Sequence, residues 1–389
     1  MASVVAERRL RTPTRPTWAE ISLANLRHNF QSLRQHVGAA VDLCAVVKAD
    51  AYGHGAPQCA LALQQEGTRW FGVTSLDEAI PLREAGIQGR ILLMTGFWPG
   101  EEEELLRLGL TPTVWSTQQI SLLEKAAAGL GKQQAVHLKL DTGMGRLGVP
   151  PEDLPQVLSA LKSSHHLSLE GLSTHLASSE VLDAPSVDAQ LKVFEQTRAM
   201  LKHEGIEPAL IHVANSCAIL SRPLSWNNMV RPGISLYGYQ LPLQRDGSDI
   251  NDSVLPLKPV LSWKTRILSL RQMPANQALG YNGTYVTRIP SRIAVLPVGY
   301  ADGLNRQLSS RGRVILRGKY APIVGRISMD LTLIDVTAIP GADVGDDVIL
   351  IGEFGDLEIT AREHASLAGT IPYEILCGIS KRVPRRYIS

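Results

Sequence analysis

The stretch AVVKADAYGHG, residues 45–55, decides how the chain is read. It continues an apolar run from Leu43 and Cys44 through Ala45, Val46 and Val47, and closes in glycines, a tyrosine and a histidine. A short apolar run that stops at a turn reads as a buried strand. Lys48 stands at the end of that run, and lysine is seldom buried without a task. Burial disfavours the ammonium form, so Lys48 can be held as a neutral amine able to bond covalently to a carbonyl group. The plainer reading is a lysine whose stem lies along the strand end while its ammonium reaches water. The rest of the chain must decide between the two.

Upstream, Leu26, Phe30, Leu33 and Val37 recur at helical spacing. Downstream, a helix is expected near 57–66, a strand over 70–74, and a helix opening at Ser75, which forms a capping box with Glu78. Pro81 falls inside that helix and is expected to kink it. Further strands are expected at 90–94, 111–114, 135–140, 167–173, 209–213 and 234–238, mostly with helical segments between. With the strand before Lys48 these make eight, and the alternation implies parallel pairing. The expected fold is α/β: an N-terminal (β/α)8 barrel over residues 17–252, with its site at the C-terminal ends of the strands. A doubly wound open sheet is the alternative. Beyond residue 252 the runs Val260–Leu270, Arg292–Val298, Arg313–Leu316, Leu331–Val336 and Val348–Ile351 are short and split by Gly, Pro and Asp. They imply a C-terminal, mostly β-strand domain over 253–389. Residues 1–16 carry Arg8, Arg9, Arg11 and Arg15 with little that could pack, and read as a disordered lead.

A chain of 389 residues suits two domains, and its net charge of +2 does not point to nucleic acid or an anionic membrane. No apolar run reaches the length of a membrane span. Cys44, Cys59, Cys217 and Cys377 lie far apart without a CxxC pair, which argues against a zinc site or a disulfide framework and fits a reducing cytoplasm.

In KLDTGMGRLG, residues 139–148, Gly143, Gly145 and Gly148 spell the dinucleotide fingerprint. Pro150 and Pro151 precede the next helix, whereas that fingerprint needs the helix to begin within the glycines. Strand alternation puts His137, Lys139 and Asp141 on one face and Leu138 and Leu140 on the other; the polar set should point into the barrel. In VRPGISLYG, residues 230–238, backbone N–H groups around Gly233 and Ile234 make an anion-binding concavity suited to phosphate.

KADAYGHG, residues 48–55, resembles the pyridoxal phosphate lysine motif of the alanine racemase family. KLDTGMGRLG, GLSTHLASSE (171–180), HVANSC (212–217), VRPGISLYG, GYNGTY (280–285), PVGYADG (297–303), GRISMDL (325–331) and IPYEILCGIS (371–380) match in order, from about Arg15 to Arg386. The resemblance implies a pyridoxal 5'-phosphate enzyme that interconverts L- and D-alanine and supplies D-alanine for peptidoglycan. It implies Lys48 as covalent anchor and one acid–base group, and Tyr281 as the second base on the opposite face of Cα. Tyr52, Asn215, Ser216, Gly233, Ile234 and Tyr373 are implied around the cofactor and its phosphate, with His175 beside it. Arg231 is implied to face the pyridine nitrogen. An arginine there does not release its proton, leaves the ring neutral, and suits racemisation over transamination. Arg146 is implied to hold a carboxylate or phenolate, Met329 the substrate carboxylate through its N–H, and Tyr300 to line the mouth. A tyrosine base needs cations that favour its phenolate, and Arg146, backed by His175, is the candidate. Lys139 is implied as a carbamylated lysine. Ser328 stands where the family often has cysteine. Tyr281, Tyr300 and Met329 are implied to serve the partner subunit of a homodimer. A pyridoxal phosphate decarboxylase and a non-catalytic cofactor carrier are the alternatives: Arg231 argues against the first and the motifs of residues 280–330 against the second.

Overall fold

The computed structural model describes residues 15–250 and 255–389. Residues 1–14 of the expected lead lie outside the described residues. The chain divides into two compact units: residues 22–260 form one, and the described residues 15–21 with 261–388 form the other.

The first strand, β1 (Thr17–Ser22), falls inside the span expected for the barrel. It belongs to the second unit instead, antiparallel to Leu261–Arg266 with Thr17 opposite Thr265 and Ile21 opposite Leu261. The two threonine hydroxyls meet at 2.8 Å. Apolar alternation marks a strand but names no partner, so this pairing was not visible from local sequence.

The barrel unit starts at Ser22, whose side chain caps the helix Leu23–Val37 by accepting from Asn25 N–H. That helix buries Leu26, Phe30, Leu33 and Val37, as their spacing predicts. Parallel strands follow: β2 (Asp42–Val46), β3 (Trp70–Val73), β4 (Arg90–Leu93), β5 (Leu110–Val114), β6 (Gln134–Lys139), β7 (Leu167–Ser173), β8 (Leu210–His212) and β9 (Met229–Val230). They form one sheet in the order β8-β7-β6-β5-β4-β3-β2-β9. A bridge between Asn215 and Arg231, just past β8 and β9, nearly closes the ring. Outward-facing Val136, Leu138 and Leu140 are buried under the helical layer, and His137 is buried inside.

The eighth barrel strand is Met229–Val230, not the expected 234–238, which is a 3₁₀ turn, Ile234–Tyr237. A short apolar run has no decisive period, and Pro232 cannot donate to a ladder. The turn ends at Gly238 (φ +92°), where a methyl would sit 2.1 Å from the Lys258 carbonyl oxygen. The helix Leu76–Glu84 contains Pro81 and continues past it.

The second unit is mostly antiparallel. One sheet runs in the order Lys319–Pro322, Arg313–Leu316, Asp347–Phe354, Leu261–Arg266, β1, Arg385–Ile388, and a second in the order Ser269–Met273, Ser291–Leu296, Thr332–Asp335. Trp263, Val314, Ile315, Leu350 and Ile351 are buried in the first. Arg15 and Pro16, assigned to the lead, are structured here: Arg15 pairs with Asp302 at 2.9 Å, and the Pro16 carbonyl accepts from Thr265 Oγ1 at 3.0 Å. No helix among the described residues is long and apolar enough to cross a membrane.

Candidate active site

Lys48 follows β2 and begins a turn of unusual hand. Ala49, Asp50, Ala51 and Tyr52 all lie in the left-handed region, with φ of 51 to 54° and ψ of 39 to 48°. Such backbone disfavours L-residues by about 1–2 kcal/mol each, so something must hold it. Glu78 supplies part of that hold. One carboxylate oxygen accepts from Ala49 N–H at 2.7 Å, and the other from the Thr74 N–H and hydroxyl at 2.7 and 2.9 Å. Asp50 accepts from Ala56 N–H at 2.7 Å. His54 stacks on Tyr237 at 4.5 Å, and Tyr237 donates to the Val46 carbonyl at 3.0 Å. The expected capping box at Ser75 exists as one arm only, because Glu78 turns to Lys48's neighbour rather than to the Ser75 N–H.

The turn carries Tyr52 to Gly233. A methyl on Gly233 would lie 2.4 Å from the Tyr52 hydroxyl oxygen, so only glycine fits. The Ser216 hydroxyl accepts from Gly233 N–H at 2.8 Å and lies 3.1 Å from Ser235 Oγ. Tyr52, Ser216, Gly233 and the start of the Ile234 turn therefore converge as one cradle of hydroxyl and amide groups. Asn215 plays a different part here: its oxygen caps Ala218 N–H at 3.0 Å and accepts from Ser179 at 2.8 Å.

Arg231 is buried without a carboxylate partner among the described residues. Its two terminal nitrogens donate to His212 Nδ1 (2.8 Å) and to the carbonyls of His212 (2.6 Å), Thr174 (2.8 Å) and Val213 (3.1 Å). Those contacts leave the Nε–H without an acceptor among the described residues. Because His212 Nδ1 accepts, its Nε2 carries the proton and donates to His137 Nδ1 at 2.8 Å. His137 Nε2 in turn faces Glu170 at 3.5 Å, and Glu170 pairs with Arg90. A polar line thus runs through the barrel interior behind Arg231. Alternation flagged His137, but His212 carried no signal of its own.

The electrostatics around Lys48 are strongly cationic. Burial, then Arg231, Lys139, Arg146 and Lys48, push His175 down to about 3, so it is neutral. Burial, then Arg231 and Arg146, bring Lys139 down to about 8. Burial lowers Arg231 to about 10. Among the described residues, Asp141 is the acid that acts on Lys139, and one of its carboxylate oxygens is already used. One oxygen accepts from the N–H groups of Gly143 (3.0 Å), Met144 (2.9 Å) and Gly145 (3.1 Å), which shapes the loop carrying Arg146. The glycines of that loop serve this turn; the next helix begins only at Leu154. Gln190 ties the loop to the His175 segment, donating to Thr142 Oγ1 (3.3 Å) and the His175 carbonyl (3.0 Å).

The second unit holds the remaining expected residues. Tyr281 sits at the tip of the hairpin formed by Ala278–Leu279 and Tyr285–Val286, and is 67% exposed. Tyr300 and Met329 lie on adjacent segments: Tyr300 N–H donates to the Ser328 carbonyl and Ala301 N–H to the Met329 carbonyl, both at 3.0 Å. Ser328 uses its hydroxyl locally, on the Leu331 carbonyl at 2.8 Å. Tyr373 stands in the helix Pro372–Gly378.

A model described as the alanine racemase N-terminal domain matches residues 21–241, and one for the alanine racemase C-terminal domain matches residues 260–387. The chain belongs to the alanine racemase family. The alanine racemase of Halothermothrix orenii is 44% identical over 374 residues, covering 96% of this chain and 97% of that protein. The alanine racemase of Clostridium difficile 630 superposes with a TM-score of 0.90 at 35% identity, covering 97% of each chain. That of Bartonella henselae, solved with covalently bound pyridoxal phosphate, gives 0.85 at 32% identity over 96% of this chain and 99% of that one.

The residues present fit the alanine racemase cofactor. A cradle that a glycine keeps open, a buried arginine without a carboxylate among the described residues, and lysines at 48 and 139 suit an anionic ligand such as a phosphorylated cofactor.

Proposed function

We propose that this racemase interconverts L-alanine and D-alanine by two bases, Lys48 and Tyr281, on pyridoxal phosphate held through Lys48. The observation that carries this reading is the cation cluster of Lys48, Lys139, Arg146 and Arg231 at the C-terminal mouth of the barrel, beside the Tyr52–Ser216–Gly233 cradle. Pyridoxal phosphate, when bound, supplies the electron sink that makes the alanine Cα–H acidic. The amine of Lys48 anchors the cofactor and moves a proton at one face of Cα. The phenol oxygen of Tyr281 moves a proton at the other, with Arg146 favouring its anionic form and His175 backing the arginine. Tyr52, Ser216 and the backbone of Gly233 and Ile234 would hold the phosphate, the Gly233 N–H exchanging its bond to the Ser216 hydroxyl for one to the anion, with Tyr373 and Asn215 nearby. Arg231 would face the ring nitrogen. His212 accepts from the guanidinium and keeps it charged and oriented. The Met329 N–H binds the substrate carboxylate, and Tyr300 narrows the mouth to a small side chain.

Tyr281, Val286, Ile289, Tyr300, Met329 and Leu331 are exposed apolar residues of the second unit. Exposed apolar side chains there support a homodimer in which Tyr281, Tyr300 and Met329 complete the partner subunit's site. The reaction supplies D-alanine for peptidoglycan in the cytoplasm, and the buried thiols of Cys44 and Cys217, pushed up to about 12 by burial, suit such a setting.

Lys139 faces cations on most sides, and its lowered pKa keeps much of its amine neutral near pH 8. A neutral amine adds carbon dioxide, forming an N–C bond and releasing a proton, and the resulting carbamate would neutralise its neighbours. Native mass spectrometry in bicarbonate above pH 8 should show one added CO2 that Lys139→Ala lacks and that acid removes. An unmodified mass throughout would end this part of the reading.

The overall reading is tested by incubating the protein, pyridoxal phosphate and L-alanine in D2O. Deuterium at Cα with product approaching equal enantiomers is expected. Release of carbon dioxide from an amino acid without racemisation would move the protein to the decarboxylases.

A further inference from the structure

Tyr300 and Met329 sit on two loop segments, which need an anchor to present them in fixed positions. Backbone bonds zip the segments together, and Gly299 packs so closely that a methyl there would lie 2.3 Å from the Ser328 carbonyl oxygen. Each segment ends in an aspartate, and both aspartates meet the same two arginines. Asp302 is only 1% exposed; its Oδ2 accepts from Gly299 N–H and from Arg15, each at 2.9 Å. Its Oδ1 faces Arg382 Nε at 3.4 Å, an ion-pair distance rather than a hydrogen bond. Asp330 accepts from Arg382 at 2.7 Å through its carboxylate, and from Arg15 at 2.9 Å through its carbonyl. Arg15 also donates through Nε to the Pro297 carbonyl at 3.0 Å. One guanidinium from the start of the chain therefore bridges residues 297, 302 and 330, bracketing both Tyr300 and Met329. A planar fork with five donors can satisfy three acceptors in one plane; a lysine cannot.

We propose that Arg15, assisted by Arg382, is a positioning residue that fixes the Tyr300–Met329 segments for substrate binding. The proposal rests on the reading of Met329 and Tyr300 as substrate-binding residues. It acts on binding: a loosened segment weakens the grip on the substrate carboxylate while Lys48 and the cofactor cradle are untouched.

The test uses the full-length holoenzyme with Arg15→Met and Arg15→Lys. Arg15→Met should raise KM for alanine about 10-fold while kcat falls less than about threefold. Arg15→Lys should recover part of that loss, and the absorbance of bound pyridoxal phosphate should stay unchanged. Hydrogen exchange should show faster amides at 299–303 and 328–331, with the barrel unaltered. An unchanged KM in a merely less stable protein would overturn the proposal, as would unchanged exchange at both segments. If the wild-type protein fails to racemise alanine, the functional reading falls, and local exchange alone then decides whether Arg15 fixes the segments.

Discussion

Replacing Lys48 by alanine should abolish racemisation, with a loss of about 10⁴-fold or more, because one side chain carries two jobs. The covalent anchor goes, so pyridoxal phosphate becomes removable by dialysis and its lysine-bound absorbance disappears. The proton carrier at one face of Cα goes with it. The left-handed turn from Ala49 to Tyr52 should survive, since Glu78, Asp50 and the stack of His54 on Tyr237 hold it. Circular dichroism and thermal unfolding of Lys48→Ala should therefore match those of the wild-type protein stripped of cofactor. Activity within tenfold of wild type, or cofactor that stays covalently bound, would remove Lys48 from the centre of the site.

Tyr281→Phe should give the second largest effect, a loss of about 10²–10⁴-fold in the conversion of L-alanine to D-alanine. The substitution deletes one oxygen from an exposed hairpin tip, so little folding energy is at stake. Cofactor binding should be intact, because Lys48 and the phosphate cradle lie in the other unit. The variant should still exchange the Cα proton of D-alanine with D2O through Lys48, without inverting it. That asymmetry separates two bases from one. Symmetrical loss of exchange with both enantiomers would assign both proton transfers to a single group, and wild-type rates would sink the role of Tyr281 outright.

Much of the barrel was legible because parallel strands covered on both sides are nearly continuous apolar runs, and β2 to β8 announce themselves that way. The last strand did not, since Met229–Val230 is too short to carry a period and the apolar run after it folds as a tight turn. Lys48 was legible as a cation at a strand end, and the Gly233 region as a concavity of backbone amides. The left-handed turn was not: KADAY holds no glycine, and part of what holds it, Glu78, lies twenty-nine residues from Ala49. His212 and Arg15 were missed for the same kind of reason. Each acts through partners remote in sequence, Arg15 through carbonyls and carboxylates more than 280 residues away, and no local pattern encodes such a meeting.

The place of β1 has a consequence for how the polypeptide is made. The strand made before the barrel is an interior strand of a sheet whose other members are made after the barrel, between Leu261–Arg266 and Arg385–Ile388. It must wait, unpaired, while roughly 240 residues are synthesised, and closing a loop of that length costs about 5 kcal/mol in chain entropy. The barrel residues are contiguous and can complete their unit first; the β unit must wait for the strands that follow the barrel. A fragment beginning at residue 261 would display two raw strand edges where β1 should lie, an invitation to aggregate. Circular permutation that links residue 389 to residue 15 and opens the chain after Ser22 should place β1 directly after Arg385–Ile388 and give the β unit an uninterrupted stretch of its own.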